Sequence, residues 1–141
     1  MIPFGYVLDD TVLIELGRFD LDLHRFILML DQGRVRTGVP AIALATAEAM
    51  LSPDQRRLIR GMMEALENIH LEVIASAAEA ERLSEVLAQM EQPPDMAAAH
   101  TIAVAQHLDW PILTMSTPRW EAVKAHLPWR LELVHIHDLD D

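Results

Sequence analysis

Asp9, Glu48 and Asp95 are three acids, remote from one another along the chain, each placed where an apolar run would carry it toward a folded interior. Asp9 closes the run Tyr6-Val7-Leu8, Glu48 interrupts the Ala- and Leu-rich stretch from Ala41 to Leu51, and Asp95 follows Pro93-Pro94 and opens the run Met96 to His100. A carboxylate withdrawn from water is costly unless a partner compensates it. Three such carboxylates meeting at one spot would form a site for a hard divalent cation, which prefers oxygen ligands. Each also has a plainer role open to it. Asp9 could cap a helix, although Asp10-Thr11 are on hand for that, and two adjacent acids exceed what one cap needs. Glu48 shares a helix face with Leu44 and Leu51, so it meets an arginine or a metal, or it lies at the rim of the core. Asp95 before an Ala-rich run is an ordinary helix start and gains functional weight only in company.

Other chemistries are less well supplied. His135 and His137 would project to one side of an extended tail and could chelate a transition metal, but no further ligands follow in Leu139-Asp140-Asp141. That tail reads as the end of an edge strand followed by a solvated acidic terminus. His100 reads as a satisfied core histidine. Arg56, Arg57 and Arg60 make a basic helix face, solvated or turned to phosphates or an acidic partner. No clustered glycines form a phosphate loop, and no Gly-x-Ser-x-Gly elbow is present.

The elements that would position these residues alternate. Short apolar strands are expected at 6–9, 35–39, 69–74, 111–114 and 131–136, with helices between them at 10–16, 21–30, 41–51, 53–66, 77–90, 96–107 and 117–126. Ser52-Pro53 is a clear helix start, with Ser as cap and Pro at the first helical position. Such alternation predicts an α/β fold with a mostly parallel sheet covered on both faces. Ligands in these sheets bind beyond the carboxyl ends of the strands, where Asp9 and Thr114-Met115-Ser116 are placed. Trp110 and Trp120 flank the strand at Ile112 and are expected to pack against it.

The chain has 141 residues, of which 51% are apolar and 23% charged, so one globular domain over 1–141 is expected. A net charge of −11 argues against a protein that coats nucleic acid, but leaves room for an enzyme gripping a short RNA through a few arginines such as Arg18, Arg36 or Arg119. There are no cysteines, which excludes disulfides and thiolate zinc sites. With neither a secretory signal nor an apolar stretch long enough to span a bilayer, the expected setting is cytoplasmic, without membrane attachment.

Four segments together resemble the PIN domain family, including the VapC-type toxins: Tyr6-Val7-Leu8-Asp9-Asp10-Thr11-Val12-Leu13; Pro40 to Ala49 with Glu48; Asp95 to Ala105; and Pro111-Ile112-Leu113-Thr114 followed by Thr117-Pro118-Arg119-Trp120. The resemblance covers nearly the whole chain in order and spacing. It implies a three-layer α/β/α sandwich with the first strand near the middle. It also implies an endoribonuclease using Mg²⁺ or Mn²⁺, the toxin of a toxin–antitoxin pair. On this reading Asp9, Glu48 and Asp95 are the catalytic and metal-holding acids. Thr11 orients the first carboxylate or a metal-bound water, and Thr114 and Ser116 support the site. RNA is the substrate, and a cognate antitoxin would insert an Arg or Lys among the acids. Apolar residues such as Leu28, Leu30, Met62 and Leu66 make a homodimer plausible. The chain departs from the family at Ser116, where a fourth acid is usual. The alternative is therefore a catalytically impaired PIN-fold module that binds RNA or protein. Asp10, as a strand neighbour of Asp9, would point to the opposite face and not join the acidic set. Crowded acids repel, so the metal-bound form is expected to be the more stable.

Overall fold

The computed structural model describes residues 4–139; the terminal acids Asp140-Asp141 lie outside the described residues. Among these residues the chain forms a five-stranded parallel sheet wrapped by seven helices. The strands are β1 (Gly5–Leu8), β2 (Arg36–Pro40), β3 (Ile69–Glu72), β4 (Ile112–Thr114) and β5 (Leu133–His135). The helices are α1 (Asp10–Gly17), α2 (Leu21–Gln32), α3 (Ala41–Glu48), α4 (Pro53–Ala65), α5 (Ala77–Gln89), α6 (Met96–Leu108) and α7 (Thr117–Lys124). The spatial order is β3-β2-β1-β4-β5, with every neighbour parallel. This is the expected α/β/α sandwich with the first strand at the centre.

Strand alternation divides the core. Tyr6 and Leu8 of β1 and Leu113 of β4 face one layer, where Val12, Leu13, Leu16, Ile27 and Ile59 of α1, α2 and α4 pack. Val7 and Ile112 face the other, against Val86, Ala98, Ile102 and Trp120 of α5, α6 and α7. Strands covered on both sides must be apolar throughout, which is why β1 is buried from end to end. Gly5 is required by close approach: a Cβ there would stand 2.7 Å from the Trp110 ring and 2.8 Å from the Arg36 carbonyl.

The helix starts follow their sequence signals. Ser52 and Gln55 form a reciprocal capping box on α4, and Ser76, Asp20 and Asp95 cap their helices through side-chain oxygens. The tail differs from the expected long strand. β5 has three residues, and at Ile136 the chain winds into a 3₁₀ turn through Leu139. His135 Nδ1 accepts the His137 backbone N–H at 3.2 Å, so the two imidazoles are not arrayed along one extended edge.

In this strand order the direction of winding reverses between β1 and β4, which opens a crevice at their carboxyl ends. Asp9 leaves β1 there, and Thr114 leaves β4 beside it.

Candidate functional site

Asp9 is the N-cap of α1 and is fully buried. Its Oδ1 accepts the Thr11 hydroxyl at 2.6 Å and the Val12 N–H at 3.0 Å. Its Oδ2 accepts the Trp120 indole N–H at 2.8 Å and lies 3.6 Å from Arg119 Nη1. This carboxylate is therefore both a cap and the centre of a long-range polar network. The network is what makes its burial tolerable, since a buried charge needs donors on its oxygens.

Arg119 joins the acids. Its Nη1 donates to Asp10 Oδ1, and its Nη2 donates to Asp95 Oδ2 at 3.0 Å and Oδ1 at 3.2 Å. The guanidinium also stacks against its neighbour Trp120, with Cζ 5.1 Å from the ring centroid. Asp95 meanwhile caps α6 through the Ala98 N–H at 3.0 Å. Burial pushes the Asp10 carboxyl above its ordinary range; Arg119 pulls it back, while Asp9 and Asp95 push it further up.

Asp10 is in the cluster, contrary to the strand-neighbour expectation. The chain leaves the strand at Leu8 and Asp10 is the first residue of α1, so the two-residue alternation no longer applies to it. Glu48 makes its polar contacts elsewhere. It ends α3 with its carboxylate on Arg60 of α4, at 2.7 Å from Nη2 and 3.4 Å from Nε. The basic helix face thus supplies Glu48's partner, and Arg57 pairs with Asp54 in the same way.

Thr11 ties the two strand ends together. Its single hydroxyl proton goes to Asp9, its oxygen accepts the Met115 N–H at 2.9 Å, and Thr114 Oγ1 lies 3.3 Å away. Thr114 Oγ1 accepts the Ser116 N–H at 3.0 Å. Ser116 begins α7 without a side-chain cap bond. Of the candidate arginines, the structure singles out Arg119. Two further members, Trp120 as donor and Arg119 as counter-ion, carried a sequence signal: both follow Pro118 at the start of the helix after β4, on the ligand-bearing side of the sheet.

The residues as placed do not fit Mg²⁺ or Mn²⁺. Among the described residues no three His, Asp or Glu side chains are arranged to hold a metal ion. Asp9 is fully buried with three donors on its oxygens, and a guanidinium with fixed forked donors stands between Asp10 and Asp95. His100, although buried, is likewise a structural residue: its Nδ1 accepts the Ile42 N–H at 3.2 Å.

Strand order and the helices on both faces give the chain the fold of solved VapC-type proteins. The chain is similar to a chain of VapBC2 from Rickettsia felis, solved bound to a DNA fragment from its promoter, with a TM-score of 0.59 and 14% identity over 93% of this chain and 98% of that one. It is also similar to the sarcin–ricin-loop-cleaving toxin VapC20 of Mycobacterium tuberculosis, with a TM-score of 0.53 and 11% identity over 79% of this chain and 88% of that one. No family model and no curated protein matches the sequence. Among the described residues no helix is long and apolar enough to cross a membrane.

Proposed function

We propose that this chain is a VapC-like PIN protein that binds a protein partner and does not hydrolyse RNA at its acidic crevice. The observation carrying this reading is Arg119, whose guanidinium contacts Asp10 and Asp95 and lies 3.6 Å from Asp9, where a catalytic cation would have to act. Ser116 in place of the family's usual fourth acid, and Glu48 on Arg60, point the same way. The chemistry of the surface suits a protein partner. An apolar groove of about 390 Å³ runs between α2 and α4, lined by Leu28, Leu58, Met62 and Leu66. The net charge of −11 favours a basic protein over RNA. The similarity to a chain of VapBC2 supports an antitoxin-like partner, and an apolar helix of such a partner would pack in this groove.

A second reading, slow Mn²⁺-dependent RNA cleavage, is favoured by one observation: Asp9 and Asp95 approach the same guanidinium at the carboxyl edge of the sheet. The test is incubation of the purified chain with structured RNA, including a sarcin–ricin loop, in Mn²⁺, Mg²⁺ or EDTA, alongside Asp9→Asn. The expected result is the same RNA pattern in every lane. Cleavage that needs metal and disappears in Asp9→Asn overturns the proposal and establishes the second reading. For the partner, co-expression with the product of an adjacent reading frame should yield a complex that Leu58→Asp disrupts.

A further inference from the structure

We infer that Arg119 is this chain's built-in replacement for a metal ion: a cation supplied in cis that lets the acidic crevice exist without an external one. The inference rests on the proposed loss of hydrolysis and assigns its cause to one residue. Three carboxylates from the start of α1 and the start of α6 face this guanidinium. Without a cation they would repel one another at close range, in a crevice where Asp9 has no access to water. Arg119 meets that need with directed donors, Nη1 toward Asp10 and Nη2 toward both oxygens of Asp95.

The guanidinium is held, not loosely parked. Trp120, the next residue, is fully buried and bonded to Asp9, and Pro118 lies in the first turn of the same helix. These fix the backbone from which Arg119 reaches. Its side chain is only 17% exposed, so a competing ion must displace an anchored and partly desolvated group. The unaltered chain should therefore be indifferent to divalent cations. Removing the guanidinium should leave Asp10 and Asp95, the two acids of the group with some access to solvent, uncompensated and open to a divalent ion that keeps most of its waters.

The experiment is thermal unfolding of the full chain in 1 mM EDTA and in a MnCl₂ series, for the parent, Arg119→Met, and Arg119→Met with Asp95→Asn, with Mn²⁺ binding followed by calorimetry. The parent should melt at the same temperature in EDTA and in Mn²⁺. Arg119→Met should be less stable in EDTA and gain about 3 °C or more on saturation with Mn²⁺. Adding Asp95→Asn should abolish that gain. A parent stabilised by Mn²⁺ as much as Arg119→Met, or an Arg119→Met that ignores Mn²⁺, overturns the inference. Should Arg119→Met stay unfolded in both buffers, Arg119→Gln, which keeps donors without the charge, decides by the same criterion. RNA cleavage by the parent would overturn the proposed function, while the role of Arg119 would still stand or fall on the melting data.

Discussion

The indole N–H of Trp120 donates to the buried carboxylate of Asp9 at 2.8 Å, joining residues 111 positions apart. Trp120 thereby does two things at once. Its ring fills the core layer against α6, and its one polar atom satisfies an anion at the end of the central strand. Both residues are fully buried, so neither water nor a rotamer change can make up for losing the other.

Trp120→Phe keeps most of the ring volume and removes the donor. It should destabilise the chain by about 1.5–3 kcal/mol, the range for a lost hydrogen bond to a charged group. Urea denaturation checks this. An unchanged midpoint would show that the indole bond is not what keeps Asp9 buried.

His100 predicts an acid-sensitive term. Burial pushes its imidazole below the ordinary histidine range, with Glu79 opposing, and its Nδ1 must stay unprotonated to accept the Ile42 N–H at the start of α3, where Pro40 provides no side-chain cap. Glu72, Arg82 and His107 line the same small cavity. The unfolded chain takes up a proton at about pH 6.5 while the native imidazole does not, so stability present above that pH is lost as pH falls toward the native value. Stability measured from pH 7.5 to 5 should decline less steeply in His100→Gln, whose amide oxygen can accept the same bond. Parallel slopes would contradict this.

Glu48 is expected to matter little. Its own side chain is 14% exposed, but its partner Arg60 is 63% exposed and solvent screens the pair from that side, so its contribution should be modest. Glu48→Gln should melt within about 2 °C of the parent and leave the response to Mn²⁺ unaltered. A changed response to Mn²⁺ would tie Glu48 to the crevice, while a large loss of stability alone would show that the Arg60 pair matters more than its exposure suggests.

On the proposed function, Ser116→Asp tests whether Arg119 or the lack of an acid at position 116 would account for an inactive crevice. Placing an acid beside Thr114 while Arg119 remains should yield no metal-dependent RNA cleavage. Cleavage by Ser116→Asp alone would show that an acid at position 116, and not removal of the guanidinium, is what activity requires.

Much of this architecture was legible from local pattern. Short apolar runs such as Tyr6 to Leu8 and Ile112 to Thr114 can be buried on both faces only as inner strands, and Ser52-Pro53 or Pro94-Asp95 start helices for reasons confined to one turn of chain. Asp9 and Asp95 were visible for the same reason, as carboxylates at the ends of such elements. Three things were beyond local pattern: that Glu48 would meet Arg60, that Asp10 would turn into the crevice, and that Arg119 rather than Arg18 or Arg36 would sit among the acids. Spacing along the chain determines which face of an element a residue occupies. The partner of a charge depends on how elements distant in sequence pack, here α7 against the end of β1 and α3 against α4, and only the folded chain decides that.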